Sequence, residues 1–401
     1  MMAAGRAAEE SCRTLLLERM QRLGSKLSIT GKGRCNITNM EEMESFLGHY
    51  GENGRFLRNC LARFFSQDLI HFFQTRGVST VIERGKRVFP GSSDAEEIVG
   101  CLHSFLQSNG VEIKTEFRVD AILAEHGHVT SIQGNGEEIS CEAVIVATGG
   151  LSYPLTGSTG DGYRFAQDLG HRVRKPEPGL VPIEIEEDFV KRMKGLSLKN
   201  VELSAFADGK KFACLFGEML FTHFGISGPI VLTMSHEIVK RVRRSRVTVS
   251  INFKPALPKD TVEKRLLREF DQHGRMKCRN VLKHLLPAAA VDMFMARSGI
   301  PGGKQVSEIS RDERQRILQL LTDFRMTVKG PRPINEAIIT EGGIALDEID
   351  PYTMQSKLVK GLFFCGEVID IAGDTGGYNL QAAFSTGYMA GVSACEVYRT
   401  A

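Results

Sequence analysis

The stretch RTLLLERMQRLGSKLSITGKGRCNITN, residues 13–39, contains a run of leucines that ends at an acid, Glu18. The leucines predict a short buried strand, and the residues after it predict a loop with small and basic side chains. In a dinucleotide-binding unit, a carboxylate at the end of the second parallel strand accepts hydrogen bonds from ribose hydroxyls. Glu18 is therefore a candidate nucleotide contact, and a surface acid at a strand end is the alternative interpretation.

The loop after Glu18 favours the nucleotide interpretation. Its glycines stand among three cations, Lys26, Lys32 and Arg34. Glycines let backbone N–H groups approach an anion, and the cations offset phosphate charge. The loop is not a Walker loop, because it lacks the G-x-x-x-x-G-K-[ST] pattern. GIPGGKQ at 299–305 lacks that pattern as well.

Composition places the chain among ordinary globular proteins of two or three domains. It has 401 residues, of which 42% are hydrophobic and 25% charged. The net charge of +3 is too small to indicate nucleic acid by itself. The nine cysteines are scattered without a CxxC pair, which predicts reduced thiols in a cytoplasm. No signal peptide and no apolar run of roughly 20 residues is found, so no membrane association is expected.

Hydrophobic periodicity predicts the other elements of a cofactor-type domain. Helices are predicted at residues 2–10, 56–76, 94–108 and 376–399, with Asp94 as the cap of the third. Buried or half-buried strands are predicted in VEIKTE, VDAILAE, EAVIVATGG and LVKGLFFCGE. Asn135-Gly136 predicts the turn of a hairpin within VTSIQGNGEEIS.

The composition changes at about Leu180, where short β-like runs begin, and a charged helical region follows them. The cofactor-type pattern then returns near the end of the chain. We therefore predict an α/β fold with a discontinuous Rossmann-like domain and an insertion. The predicted domains are residues 1–180 with 341–401 for the cofactor, 181–255 with 326–340 for a β-rich insertion, and 256–325 for a helical insertion.

Two further stretches place glycines beside buried strands. AVIVATGG, residues 143–150, ends in Gly149-Gly150, where the chain can turn sharply beside a flat or phosphorylated ligand. GSTGDGY at 157–163 follows it. The alternative interpretation of this second stretch is a simple loop in which Asp161 caps the next helix.

The last stretch is GLFFCGEVIDIAGDTGGYNLQAAFSTG, residues 361–387. A buried strand ends at Glu367, and a helix is predicted to begin near Gly376-Gly377. A helix N-terminus offers free N–H groups and partial positive charge, which suits the electron-rich edge of a reduced flavin. Glu367 could accept a hydrogen bond from a ribityl hydroxyl. A glycine-rich turn before a packing helix is the alternative.

Other patterns predict no chemistry. KRVRRSR at 240–246 lacks interleaved aromatics and predicts an exposed turn. His223 and Ser227 lie in FTHFGISGP, which is not a nucleophile elbow, although His223 is a possible group on the substrate side. The histidines show no metal-binding spacing, so no metal site is predicted.

With these stretches together, the sequence resembles the bacterial BaiN-like family of FAD-dependent oxidoreductases, also called aminoacetone-oxidase-type FAD-binding enzymes. GKGRCNITN and GEVIDIAGDTGGYNLQ are the most specific matching segments. The resemblance implies FAD as the cofactor, bound by residues from both chain ends. It also implies a discontinuous FAD domain that contains a β-barrel-like insertion and a helical insertion. The implied and predicted cofactor residues are Glu18, Arg19, Lys26, Leu27, Gly33, Arg34, Cys35, Asn36, Val119, Thr148, Gly149, Asp161, Gly366, Glu367, Gly377, Asn379 and Leu380.

The resemblance also implies a strand and a G-x-G-x-x-G turn ahead of the first helix, and this sequence has neither. That strand would lie centrally in the sheet, and its loop would donate N–H groups to the pyrophosphate. We expect two neighbouring strands to have exposed edges. Several charge-assisted hydrogen bonds, each worth roughly 1.5–3 kcal/mol, would be lost. An N-terminally truncated chain is the expectation, with a start codon assigned at an internal Met.

The leading hypothesis is a cytoplasmic FAD-dependent oxidoreductase. Hydride would pass between a transiently bound NAD(P)H, the flavin and a small organic substrate, without nucleic acid or membrane partners. No catalytic acid, electron-donor preference or oligomeric state is predicted. One alternative is a non-catalytic remnant that cannot hold FAD. A flavin-dependent RNA-modifying enzyme is a further alternative, which the weak basic pattern disfavours.

Overall fold

The computed structural model describes residues 1–399. The chain divides into two compact units, one of residues 1–177 with 334–401 and one of residues 178–333. In residues 1–399, no helix combines the length and the apolar character needed to cross a bilayer. The predicted boundary between a β-rich and a helical insertion stays a prediction.

The first unit is formed from both ends of the chain. Its helices are α1 (Met2–Glu9), α2 (Ser25–Ser28), α3 (Met43–Gly48), α4 (Arg58–Arg63), α5 (Ser66–Gln74), α6 (Ala95–Ser108) and α7 (Asp161–Asp168). Its strands before the second unit are β1 (Leu15–Leu17), β2 (Thr38–Asn39), β3 (Thr80–Glu83), β4 (Arg87–Pro90), β5 (Glu112–Lys114), β6 (Val119–Glu125), β7 (His128–Gly134), β8 (Glu137–Ser140), β9 (Val144–Val146) and β10 (Val173–Gly179).

The second unit adds the strands β11 (Ile183–Ile185), β12 (Ser197–Ala207), β13 (Lys210–Phe221), β14 (Gly225–Ser227), β15 (Val247–Asn252) and β16 (Phe324–Pro331). Its helices are α8 (Pro229–Val242), α9 (Lys259–Gln272), α10 (Cys278–Leu282), α11 (Ala288–Ser298) and α12 (Arg311–Thr322). The chain then returns to the first unit with β17 (Ile339–Ile344), β18 (Leu362–Phe364) and α13 (Tyr378–Arg399).

Two parallel strand pairs form the Rossmann-like part of the first unit. β1 pairs with β5, with Leu16 opposite Ile113. β9 pairs with β18, with Ile145 opposite Phe363. Within residues 1–399, these pairs are two separate two-stranded sheets. Parallel pairing fits the long helical crossovers between the strands, and the α/β prediction is confirmed.

Local sequence explains several of these elements. Asp94 accepts a hydrogen bond of 2.9 Å from the Glu96 N–H at the start of α6, as predicted. β7 and β8 form the predicted hairpin. Asn135 and Gly136 take positive φ angles of 48° and 78° at its turn, which are the angles that a two-residue turn of this hand requires.

One predicted helix is interrupted. Residues 56–76 form α4 and α5 rather than one helix, because Phe64 is extended (φ −150°, ψ 95°). The Phe64 carbonyl accepts hydrogen bonds from Gln381 Nε2 (3.2 Å) and Ser385 Oγ (2.6 Å) of α13. The Phe64 ring stacks on Tyr388 at 4.5 Å. These contacts with α13 replace the helical hydrogen bond that a continuous helix would make.

The cysteine prediction is wrong at one pair. Cys12 and Cys395 form a disulfide that links the segment after α1 to α13. The two residues are 383 positions apart in the sequence, so their spacing gave no local signal. The other cysteines are free thiols.

The second unit contains a closed barrel, as the family resemblance implied, with the strand order β11-β14-β13-β12-β15-β16. α8 packs against β13. The helices α9–α12 contact one another beside the barrel strands β15 and β16. Alternating buried residues in β15, such as Val247 and Val249, fill the barrel interior.

Candidate cofactor site

The two ends of the chain meet at Lys26 and Glu367. Lys26 lies on α2, and Glu367 follows the C-terminal end of β18. The Lys26 ammonium group forms an ion pair with the Glu367 carboxylate and also contacts Ser152 Oγ at 2.7 Å. Glu367 Oε1 accepts hydrogen bonds from Ser152 Oγ (3.0 Å) and the Thr340 N–H (2.6 Å). The structure therefore brings these two predicted site residues together.

A glycine lies directly beside this network. A Cβ atom at Gly150 would lie 2.6 Å from Thr340 Cβ and 3.1 Å from Glu367 Oε1. Thr340 Oγ1 accepts hydrogen bonds from the N–H groups of Leu151 (2.8 Å) and Ser152 (3.2 Å). The glycine after β9 thus allows close approach of β17 and Glu367. Sequence reasoning missed Ser152 and Thr340, because neither belongs to a glycine motif.

Glu18 and Arg19 lie at the C-terminal end of β1, as predicted. Glu18 Oε1 accepts a hydrogen bond of 2.8 Å from the Met20 N–H. Burial raises the pKa of the Glu18 carboxyl, and the hydrogen bond from Met20 opposes that shift. The Glu18 carbonyl accepts from the Phe117 N–H at 2.9 Å. This contact brings the start of β6, with Val119, close to the end of β1.

Arg19 connects β1 to the helix after β9. Its guanidinium group forms an ion pair of 2.6 Å with Asp161 and also contacts Thr159. Asp161 is the first residue of α7, and Gly160 occupies the cap position without a side-chain hydrogen bond. The alternative in which Asp161 caps α7 is therefore wrong. Its carboxylate faces Arg19 instead.

The loop after α2 has a buried thiol at its centre. Cys35 is fully buried with φ 55°, and burial raises its pKa to about 12. At neutral pH this thiol is protonated, so it is not a nucleophile. Arg34 forms an ion pair with Glu83 and lies over the Phe89 ring at 4.3 Å. Arg34 therefore has a protein partner for its charge, and its contact with the cofactor stays a prediction.

Leu27 and Leu380 form an apolar wall in the same unit. Both pack against a core cluster that includes Cys35, Ile37 and Phe384. Gly33 has φ 83°, and a Cβ atom there would meet nothing within 4 Å. Its glycine is therefore required by backbone conformation and not by crowding.

Buried oxygens without a hydrogen-bond partner mark two predicted site residues. Among the described residues, Asn36 Oδ1 and Thr148 Oγ1 are buried and have no partner. A Cβ atom at Gly377 would lie 2.9 Å from Asn36 Oδ1 and 2.5 Å from the Thr38 carbonyl carbon. Buried polar atoms are nearly always satisfied in native proteins. These two oxygens therefore fit a polar ligand that contacts the loop after α2 and the end of β9.

The loop before α13 is fixed by Asn379. Its Oδ1 accepts from the Gly373 N–H (2.8 Å), and its Nδ2 donates to the carbonyls of Gly373 (2.8 Å) and Asp374 (3.2 Å). Asn379 thus holds the loop through its side chain. Gly366, at φ 74°, donates its N–H to Thr386 Oγ1 at 3.0 Å. Gly149, at φ 73°, lies beside Ser158.

His49 is a further residue at this loop that sequence reasoning missed. Its Nδ1 lies 2.8 Å from Asp374 Oδ2, and its Nε2 lies 3.0 Å from Glu41 Oε2. The ring stacks on Tyr378 at 3.9 Å. The pKa of His49 is raised by the hydrogen bond to Asp374, with a smaller contribution from Glu41. His49 and Asp374 are 325 residues apart in the sequence, so no local motif could predict the cluster.

A family model described as the HI0933-like protein Rossmann domain matches residues 1–393. The chain belongs to this family. The match is consistent with the BaiN-like resemblance, and the family prediction is confirmed.

Relatives with assigned names cover nearly the whole chain. A 3-dehydro-bile acid delta(4,6)-reductase of Clostridium scindens is 30% identical over 397 residues, which are 98% of this chain and 95% of that protein. A ribosomal RNA dihydrouridine synthase of Escherichia coli is 29% identical over 389 residues, 97% of this chain and 93% of that protein. Its counterpart in Haemophilus influenzae is 31% identical over 379 residues, 93% of this chain and 90% of that protein.

Solved structures support the fold. A 3-ketosteroid delta1-dehydrogenase of Sterolibacterium denitrificans has a TM-score of 0.54 at 12% identity, covering 99% of this chain and 97% of that chain. An Escherichia coli quinol fumarate reductase subunit has a TM-score of 0.52 at 15% identity, covering 100% of this chain and 69% of that chain. The architecture is thus a Rossmann-type FAD-binding fold with an inserted barrel.

Proposed function

We propose that this protein is a cytoplasmic FAD-dependent oxidoreductase that uses NAD(P)H to reduce a small organic substrate. The observation that carries the proposal is the meeting of Lys26 and Glu367 from opposite chain ends, at the carboxyl ends of parallel strands. Ligands of open α/β sheets bind at that edge. Membership in the HI0933-like family supports the assignment.

The residues on either side of this edge would hold FAD. Glu18 would accept from ribose hydroxyls, as its place at the end of β1 suggests. Asn36 and Thr148 would direct their unpartnered oxygens to donors of the cofactor. The flavin supplies two-electron redox chemistry when it is bound. The protein holds the loop before α13 through Asn379 and keeps the Cys35 thiol protonated.

The names of the relatives suggest the substrate class. A delta(4,6)-reductase and a dihydrouridine synthase each saturate a carbon–carbon double bond within a ring. We infer that the substrate here carries a ring double bond conjugated to a carbonyl group. In the balanced reaction, NAD(P)H supplies one hydride, which carries both electrons and forms a C–H bond at one carbon of the double bond, and a proton from solvent forms the second C–H bond at the other carbon. The products are the saturated ring compound and NAD(P)⁺.

A second candidate is reduction of uridine in ribosomal RNA, which the similarity to the two synthases favours. The chain offers a basic segment at 240–246 in the second unit. Arg241 in that segment also pairs with Glu237 and lies over the Phe212 ring at 4.4 Å. Because Lys240 and Arg241 of this segment share their charge with Glu237, we favour the small-molecule substrate.

An anaerobic reduction assay tests the proposal and separates the candidates. NADH or NADPH should bleach the flavin absorbance of the purified protein, and a cyclic enone such as a 3-oxo-Δ4,6 steroid should restore it. Restoration by unmodified ribosomal RNA, with dihydrouridine as the product, would instead establish the RNA activity. Failure of both nicotinamide nucleotides to bleach bound flavin would contradict the NAD(P)H assignment.

A further inference from the structure

The second unit contains a cluster of metal-ligating side chains outside the cofactor site. Glu269, His273 and His284 each offer one ligand atom, and these atoms all lie within 4.8 Å of one another. Two imidazoles and one carboxylate are the ligand types that Zn²⁺ takes in three-ligand protein sites. No local spacing in the sequence marks the cluster, because His284 comes from a different helical segment than Glu269 and His273.

The first two ligands are placed by α9. Glu269 and His273 are one helical turn apart, at the C-terminal end of that helix, so their side chains share a face. The buried side chains of Val262, Leu266 and Phe270 lie on the same side of α9 and anchor the helix. The Glu269 side chain is 15% exposed and that of His273 is 33% exposed. Both ligands thus lie at the edge of the buried face of α9, where their side chains are partly exposed and the helix backbone is fixed.

The third ligand is placed by the turn after α10. His284 donates its backbone N–H to the Val281 carbonyl at 3.0 Å, and its neighbours Leu285 and Leu286 are buried. Its Nδ1 lies 2.9 Å from Glu269 Oε2. The His273 and His284 rings are 5.0 Å apart between centroids.

We propose that Glu269, His273 and His284 bind one Zn²⁺ ion, with water in the fourth position. With metal–ligand bonds of about 2.0–2.1 Å, tetrahedral ligand atoms lie about 3.3 Å apart. The distance from Glu269 Oε2 is 2.9 Å to His284 Nδ1 and 3.9 Å to His273 Nε2. The two distances lie on either side of the tetrahedral value, and the ligand atoms would close on a bound ion by rotation of the partly exposed His273 and the exposed His284 side chains.

One charge near the cluster favours a bound cation, and another disfavours it. The C-terminal end of α9 carries partial negative charge, which favours a cation beside His273. Arg265, one turn before Glu269, places its positive charge near the Glu269 carboxylate. This charge disfavours the binding of a metal cation there. Because the site has one carboxylate and no thiolate, we expect reversible binding that metal chelators remove.

The competing interpretation is a hydrogen-bonded Glu269–His284 pair without metal, and equilibrium dialysis against Zn²⁺ distinguishes the two. The untagged full-length protein would be dialysed, and bound zinc measured by elemental analysis. His284→Gln keeps an N–H donor for Glu269 but removes the imidazole ligand. His236→Gln is the matched control, because His236 lies on α8 at 3.8 Å from Glu237 and belongs to no group of three metal-ligating side chains among the described residues.

We expect one zinc per chain in the wild type and in His236→Gln. His284→Gln and His273→Gln should each bind zinc at least about tenfold more weakly. Even substitution of residues that only hydrogen-bond to metal ligands typically lowers metal affinity about 10–100-fold. Equal zinc binding by the wild type and both ligand variants would overturn the proposal, and so would a wild type that binds no zinc. Melting curves with and without Zn²⁺ give a second test. A zinc-dependent rise confined to the wild type and the control supports the site, and an equal rise in all variants contradicts it.

Discussion

The Lys26 ammonium group contacts the Glu367 carboxylate across 341 residues of sequence. The side chains of the pair are 23% and 19% exposed, so solvent screens their attraction only partly. Glu367 also accepts from Ser152 and Thr340. The Glu367 carboxylate therefore joins three parts of the fold at one point. These parts are α2, β17 and the segment that follows β9.

Glu367→Ala should destabilise the first unit, because it leaves Lys26 and the Thr340 N–H without their acceptor. We expect the free energy of unfolding to fall by roughly 1–3 kcal/mol, measured by urea denaturation. Glu367→Gln is the control, since its carbonyl oxygen can still accept from Thr340 while the charge is lost. A Glu367→Ala variant as stable as the wild type would show that the network contributes nothing.

Thr148→Val should leave the stability of the free protein unchanged or higher but weaken the binding of FAD. Thr148 Oγ1 is buried without a partner among the described residues, so its removal should leave the free protein equally or more stable. If the hydroxyl bonds to FAD, the variant should bind FAD about 2- to 13-fold more weakly, which corresponds to one hydrogen bond of 0.5–1.5 kcal/mol. Isothermal titration checks the affinity. Unchanged affinity would remove Thr148 from the site.

Gly377→Ala and Gly33→Ala form a pair that separates crowding from backbone strain. Both glycines have positive φ, 101° and 83°, and each substitution should cost about 1–2 kcal/mol for conformation. Only Gly377→Ala also meets a neighbour, the Thr38 carbonyl, so it should cost roughly 1–3 kcal/mol more. Thermal unfolding measures the difference. Equal losses would mean that Gly377 is not crowded.

His49 should make stability depend on pH. Its pKa in the folded protein is raised by Asp374 and Glu41, so its stabilising effect is fully present below the unfolded pKa of about 6.5. That effect is lost as pH rises through the higher folded pKa. The stability difference between the wild type and His49→Gln should therefore shrink above about pH 7. Denaturant unfolding at several pH values measures it, and a difference that grows with pH would contradict the assignment.

Local patterns predicted much of the fold. The Asp94 cap, the Asn135-Gly136 hairpin and the buried strand before Glu367 each depend on neighbours in sequence, so a single stretch contains their signal. The β-rich insertion followed from a change in composition near Leu180, whereas its barrel form was implied by the family resemblance. The break after Phe64 could not be predicted, because its cause is a contact with Gln381 on a distant helix.

The site was predicted in part for the same reason. Glu18, Lys26 and Glu367 lie at strand ends or in glycine loops that a sequence displays. Their partners Ser152 and Thr340 come from other segments, and so does Asp374, one of the two carboxylates at His49. Long-range polar contacts produce no periodic pattern in the sequence, and neither does the Cys12–Cys395 disulfide.

The central claim is that both chain ends together hold FAD, and the cofactor content of the purified full chain tests it most directly. Protein refolded or incubated with FAD and passed through gel filtration should remain yellow, with about one flavin per chain by absorbance. Glu367→Ala should lose most of that flavin. A wild-type protein that elutes folded but colourless, with no FAD taken up, would contradict the account and favour a remnant without cofactor.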